Sequence, residues 1–305
     1  MHRQANLNGA WAVLLAGGEG TRLQSLTRRI AGDVRPKQFC RILGEESLLT
    51  QTRRRVDPLF EASNILAVLT KTHERFYSPE LNDWPEAALI AQPENRGTGV
   101  AIALAALMLC DLDPEAMVVA LPCDHHYRDE GAFRGAIEAA VAVARRSSDA
   151  IVLLGAEATY PETEYGWIEP AGTFSTVTRF ANAPVRQFWE KPDRTTACDL
   201  LSRGCLWNTF VTVGRARTII QALCEVMPNA VPMLSEGILE NDLESAFREL
   251  PSIDFSRDVL SARPERLVVV RDAASGWTDL GNPHRVFETL KRQRIAPAWL
   301  ESLAG

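Results

Sequence analysis

Short apolar runs recur along the chain at 12–15, 65–69, 118–121, 151–154 and 267–270. They are continuous rather than alternating, so each predicts a strand buried on both faces. Between the earlier runs lie segments with helical spacing, at 48–56, 98–110 and 131–146. In the last of these, Phe133, Ile137, Val141 and Ala144 return with the period of one helix face. Strands alternating with helices predict an α/β fold with a mixed, mostly parallel sheet and helices on both faces. After Gly155 the texture changes. Residues 160–188 are rich in Pro, Thr, Gly and aromatic residues, which predicts short antiparallel strands and loops over the sheet. Helices return from Thr218, and 284–292 predicts a closing helix. With no internal repeat and no low-complexity linker, 9–292 is expected to be one domain, followed by a tail over 293–305.

Composition changes this picture little. The 305 residues are 46% hydrophobic and 24% charged, ordinary for a globular protein. A formal net charge of −6 leaves no basic surplus for a nucleic-acid backbone, although a local cluster could still hold a nucleotide. The longest apolar run, 100–110, is far short of a membrane span, and the first ten residues lack the apolar core of a signal peptide. The cysteines, Cys40, Cys110, Cys123, Cys198, Cys205 and Cys224, form no C-x-x-C pair and read as reduced packing residues. A cytoplasmic protein without nucleic-acid or membrane partners is therefore expected. Oligomeric state is not written in these patterns, and a homo-oligomer stays open.

Ligands of open α/β sheets sit beyond the carboxyl ends of the strands. There the first strand runs through Leu15 and Ala16 into Gly17, Gly18 and Gly20, followed by Thr21 and Arg22, with Lys37 further on. Glycines let backbone N–H groups approach an anion closely, and an arginine fork beside them can hold two phosphate oxygens. A Walker loop would need Lys-Ser or Lys-Thr after Gly20, where Thr21-Arg22 stands. A dinucleotide fingerprint would need a glycine at Leu23. The segment reads as a triphosphate cradle of another kind, or as a plain glycine turn. Asp124, at the end of the 118–121 strand, is either a Mg²⁺ ligand or a capping aspartate.

The stretches LAGGEGTRL and RPKQF resemble the sugar nucleotidyltransferases, in particular the mannose-1-phosphate guanylyltransferase branch. Six motifs in that family's order, from residue 12 to about 288, carry the resemblance over nearly the whole chain. It implies the nucleotide-diphospho-sugar transferase fold, which is Rossmann-like, and a reaction moving GMP from GTP onto mannose 1-phosphate. It also implies Mg²⁺ held by Asp124, from its Pro-x-Asp-His setting, and by Asp279, from Trp-x-Asp-x-Gly. Two carboxylates converging from distant segments would need a cation between them. Phe188-Trp189-Glu190-Lys191-Pro192 resembles the family's sugar-phosphate motif, with Glu190 toward hydroxyls and Lys191 toward phosphate. Gly166 and Asn208 match the family's sugar-contacting positions. Asn95, Gly97 and Thr98 match its base-recognition region, although Thr98 alone would read as a helix N-cap.

Two departures stand out. The 24–35 loop, with Ile30-Ala31-Gly32-Asp33, is longer than the family's common form, which bears on how Lys37 reaches a triphosphate. Thr209-Phe210 follows Trp207-Asn208 where Ser-Gly or Ser-Phe is usual, which leaves the sugar open. The chain is also too short for the isomerase domain or long β-helix tail of some relatives. The implied chemistry needs alignment and charge compensation from Arg22, Lys37 and Lys191, and no covalent nucleophile. Two alternatives remain: the same reaction with another sugar 1-phosphate and UTP or dTTP, and a nucleotide-sugar-binding regulator without turnover.

Overall fold

The computed structural model describes residues 7–175 and 181–301. Residues 176–180, within the predicted loop-rich stretch, and 302–305 of the expected tail lie outside these. The strands are β1 Ala10–Leu15, β2 Ile65–Thr70, β3 Leu89–Gln92, β4 Met117–Pro122, β5 His126–Tyr127, β6 Ile151–Glu157, β7 Gly166–Pro170, β8 Asn182–Glu190, β9 Leu206–Arg215, β10 Leu267–Asp272 and β11 Trp277–Thr278. Among the described residues, nine of them form one sheet in the order β3-β2-β1-β4-β9-β6-β10-β8-β7, while β5 and β11 form a separate ribbon. By their pairings only β8 and β9 run against the other seven, so the mostly parallel expectation holds.

The five continuous apolar runs become β1, β2, β4, β6 and β10. Each divides its side chains between two cores by simple alternation. In β4, Val118 and Ala120 face one core, and Met117, Val119 and Leu121 the other. In β6, Ile151 and Leu153 face the first, and Val152 and Leu154 the second. Helix Thr98–Leu112 lies in the first core and is buried nearly all round from Gly99 to Ala106, so its apolar run never needed a polar face. Helix Glu130–Arg146 lies in the second, buries the four predicted residues, and is capped by Asp129 accepting from the Ala132 N–H at 2.8 Å.

Three expectations need correction. Strands β7 and β8 are hydrogen-bonded into the sheet rather than laid over it, β8 beside β10 and β7 pairing both with β8 and back onto β9. Strand β9 has no counterpart among the expected elements, yet it occupies the middle of the sheet, because its Thr209 and Thr212 are buried with satisfied hydroxyls, Thr209 donating to the Leu154 carbonyl at 2.7 Å. The segment past 293 is no free tail. Ile295, Trp299 and Leu300 pack on a core that includes Leu26, Ile42 and Leu280, and the Trp299 indole donates to the Ile42 carbonyl at 3.0 Å.

The six cysteines are free, with Cys40, Cys123 and Cys205 buried. No described helix is long and apolar enough to cross a membrane.

Ribbon β5–β11 pairs His126 with Thr278 and Tyr127 with Trp277, and His126 Nε2 meets the Gln293 side-chain amide at 2.7 Å. Burial pulls the His126 imidazole down to about 4, with the Gln293 contact opposing only in part. The unfolded chain therefore binds a proton that the folded chain refuses. Stability is unaffected by this group above its ordinary value of 6.5 and falls as pH drops from there toward 4. The full loss is about 3 kcal/mol. Denaturant unfolding at pH 7 and pH 4.5 should show a smaller pH-dependent loss for His126→Gln than for the parent; identical losses would contradict the assignment.

Candidate active site

β1 and β4 are parallel neighbours, with Leu15 beside Pro122, so the loops that follow them leave the same sheet edge. The Cys123 N–H donates to the Leu15 carbonyl at 3.3 Å, which ties Asp124 to the glycine loop. That loop is held from below. Ala16 donates to Val68 at 2.8 Å, and the Gln38 amide donates to the Ala16 and Gly18 carbonyls at 2.8 and 2.7 Å. The Thr70 hydroxyl donates to the Gly17 carbonyl at 3.0 Å. A Cβ on Gly17 would meet the Thr70 hydroxyl and the Gln92 amide at 2.9 Å, whereas one on Gly18 would meet nothing within 4 Å. Gly20 has φ +60 and lies against Lys37, whose backbone nitrogen would stand 3.0 Å from a Cβ there. Thr21 and Arg22 open the single turn that follows.

Lys37 is buried. Its ammonium donates to the Asp279 carbonyl at 2.7 Å and pairs with Asp124 Oδ2 at 3.2 Å. Lys37 thus ties the Asp124 carboxylate to the Asp279 backbone, without touching the Asp279 carboxylate. The 24–35 insertion is ordered. It forms helix Gln24–Ala31, ends at Gly32 with φ +80, and clasps Asp33 onto Arg35 through two contacts of 2.8 Å ahead of Pro36-Lys37. His125 backs Asp124: its Nδ1 accepts from the Trp277 indole at 3.1 Å, and its Nε2 lies 3.5 Å from Asp124 Oδ1. Burial holds this imidazole below its ordinary value, so it faces Asp124 as a neutral N–H.

Asp279 follows β11 directly, and its carboxylate is engaged three times at Oδ1 and once at Oδ2. It accepts from the Tyr165 hydroxyl at 2.9 Å, the Gly281 N–H at 2.8 Å, and Arg285 Nη1 at 2.9 and 3.0 Å. Burial works to raise its pKa, but Lys37 and Arg285 outweigh burial and hold the group below the usual carboxylate range. Arg285 Nη2 also holds Glu162 at 2.6 Å and Glu164 at 2.8 Å. Arg22, half exposed, reaches the same corner, 3.5 Å from Glu164 Oε1. Two hard oxygen donors near the glycine loop are the kind of ligand Mg²⁺ takes, with waters and substrate phosphates as its other ligands. Asp124 could offer that role its Oδ1, because Lys37 pairs with its Oδ2 at 3.2 Å. Asp279 fits it only if Arg285 lets go.

The remaining candidates join this edge through the sheet. Gly166 and Glu190 are partners across β7 and β8, and a Cβ on Gly166 would press on the Phe188 ring at 2.8 Å and on Glu190 at 3.0 Å. Burial raises the Glu190 carboxyl against the pull of Lys191, 3.1 Å away. Lys191 sits at φ +47 with its N–H on the Tyr165 carbonyl at 3.2 Å and its side chain largely exposed. Asn208 is buried in β9, opposite Gly155, and its amide donates to the Ser256 hydroxyl at 3.4 Å. Asn95 accepts from the Gly97 N–H at 2.9 Å. Gly97, not Thr98, is the helix N-cap, at φ +87. The Thr98 hydroxyl instead accepts from the Phe255 N–H at 3.0 Å. The stretch around 253–256 therefore bridges the expected base and sugar positions.

Sequence reading assigned no role to Gln92, Ser256, Glu162, Glu164 and Arg285, and none to Tyr165 beyond its place before Gly166 in a family-like segment. Gln92 carries a buried side-chain oxygen without a partner, next to Gly17. Its place at a strand end is a signal that could have found it, as Tyr165's place beside Gly166 is for Tyr165; the others carry no local signal.

The fold and the gathered side chains define a mixed α/β protein with a polar site at the carboxyl ends of its parallel strands. The family model for nucleotidyl transferase matches residues 11–294, and the chain belongs to that family. It is 34% identical over 284 residues to the xanthan biosynthesis protein XanB of Xanthomonas campestris pv. campestris strain B100, covering 88% of this chain and 57% of that one. It is 29% identical over 291 residues to a mannose-1-phosphate guanylyltransferase of Escherichia coli, covering 90% and 59%. The chain thus spans less than two thirds of the length of these relatives. The crystal structure of mannose-1-phosphate geranyltransferase from Thermus thermophilus superposes with a TM-score of 0.76 at 28% identity, over 92% of this chain and 79% of that one.

The two kinds of glycine make a paired prediction. Gly97→Ala places a Cβ into the Ile253 carbonyl at a left-handed φ, and should cost about 2 kcal/mol or more of unfolding free energy. Gly18→Ala meets open space and should stay within about 0.5 kcal/mol of the parent. Urea unfolding of both checks this; equal losses would contradict it.

Proposed function

We propose that this protein transfers GMP from GTP to mannose 1-phosphate, releasing pyrophosphate and giving GDP-mannose. The observation that carries the reading is the buried Lys37, whose backbone lies against Gly20 and whose ammonium reaches both Asp124 and the Asp279 backbone. A cation so placed meets the negative charge that builds on a departing pyrophosphate. The named guanylyltransferase relative supports the same reaction class.

In this reading an oxygen of the sugar 1-phosphate attacks the α-phosphorus in line. The glycine loop, through the N–H groups of Gly17, Gly18, Gly20 and Thr21, together with Arg22 and Lys37, holds the triphosphate. Leu15 and Ala16 lead the strand into that loop. Asn95, Gly97 and Thr98, with Gln92 beside them, face the base. Glu190 and Asn208 take sugar hydroxyls beside Gly166, and Lys191 orients the incoming phosphate. Mg²⁺ held by Asp124 and Asp279 would lower the charge of the triphosphate. Because phosphoryl transfer of this kind asks mainly for alignment and charge compensation, no covalent nucleophile is assigned.

Lys37→Ala should lower pyrophosphate release by roughly 10²–10³-fold with the fold retained by circular dichroism. Turnover near the parent's would contradict the role of Lys37. Across GTP, UTP and dTTP with mannose or glucose 1-phosphate, GTP with mannose 1-phosphate should give the fastest release. Preference for another pair would keep the reaction and change the substrates; tight binding of all pairs without product would favour a regulator.

A further inference from the structure

Asp279 can offer a metal ion only its Oδ2, and Arg285 stands on it. Oδ1 accepts from Tyr165, the Gly281 N–H and Arg285 Nη1, whereas Oδ2 receives one contact, from the same Nη1 at 3.0 Å. A metal ion at Oδ2 would sit beside that contact. The Gly281 contact is fixed by the backbone turn, and a hydroxyl can rotate away, but a guanidinium at 3.0 Å is a like charge beside an incoming cation.

Arg285 has somewhere else to go. Its Nη2 already lies between Glu162 and Glu164, and its guanidinium stacks 4.4 Å above the Tyr165 ring. Its backbone is pinned at the start of helix Pro283–Gln293, where its N–H donates to the capping Asn282 side chain at 3.0 Å. Only the side chain needs to shift. Glu164, partly exposed, is shared with Arg22, so this acidic corner touches both the Asp279 side and the glycine-loop side of the site.

We propose that Arg285 competes with a divalent metal ion for Asp279, and that Glu162 and Glu164 receive the guanidinium when the metal displaces it. The inference rests on the reading of Asp124 and Asp279 as metal ligands. In it Arg285 is a positioning residue. It keeps a buried carboxylate neutralised before metal arrives and sets how tightly that metal is held. Removing Arg285 should tighten metal binding, and weakening its alternative berth should loosen it. A purely structural arginine would not give these opposite signs.

The test is titration of the purified protein with Mn²⁺, read as loss of the free-ion paramagnetic resonance signal, alongside thermal unfolding. Arg285→Gln should bind Mn²⁺ roughly tenfold more tightly than the parent, the scale of a lost charge-assisted contact. Glu164→Gln should bind it several-fold more weakly, on the same scale, because Arg285 then leans on Asp279 more heavily. If Arg285→Gln does not fold, Glu164→Gln decides alone, since its side chain is 42% exposed. Unchanged or weaker binding in a folded Arg285→Gln, or unchanged or tighter binding in Glu164→Gln, overturns the competition. Asp124→Asn separates the two failures. If it weakens Mn²⁺ binding while the other variants miss their signs, the metal reading stands and the competition falls. If it leaves binding unchanged, the metal reading falls, and the competition with it.

Discussion

A lysine ammonium taken out of water must be met by oxygen atoms, and the way Lys37 is met organises this protein. Its partners come from three separate parts of the chain. Asp124 follows β4, the carbonyls of Asp279 and Leu280 follow β11, and Gly20 lies against its backbone. An unpaired buried charge costs far more than a satisfied one, so these segments cannot drift apart without exposing or stranding the cation. The long-range order of the site and the stability of its edge are therefore one constraint.

Sheet topology makes that constraint achievable. Parallel β1 and β4 put the glycine loop and Asp124 at one edge, and the β5–β11 ribbon carries Asp279 back to them. An aromatic wall of Tyr165, Trp207 and Trp277 stands beside the ribbon, with ring centroids 5.0 to 6.4 Å apart. It adds directional packing behind the carboxylates. The hydrogen-bonded floor beneath the glycines is equally specific. Gln38 and Thr70 take up three successive loop carbonyls, which leaves Gly18 facing open space.

Much of this is legible in the residues. The five central strands and four main helices follow from apolar runs and periodicity, because burial on both faces leaves a continuous signature. The glycine loop, Lys37, Asp124 and Asp279 are identifiable because their chemistry is concentrated in short stretches. What escapes is whatever depends on distant partners. β9 carries buried Thr209 and Thr212, whose hydroxyls are satisfied only within the fold. Thr98 has the residue type of a cap, but Gly97 takes that place, with Ile253 packed against it. Arg285 shows no pattern at all. Its role is set by where Asp279, Glu162 and Glu164 lie in space.

The central claim is that this edge aligns a sugar phosphate on the α-phosphorus of a nucleoside triphosphate. Phosphorus NMR of the protein with GTP, mannose 1-phosphate and Mg²⁺ tests it most directly. The account predicts that paired diphosphate doublets and a pyrophosphate singlet grow together as the triphosphate and monoester signals decay. Orthophosphate in place of pyrophosphate, or an unchanged spectrum under conditions where both substrates bind, would contradict it.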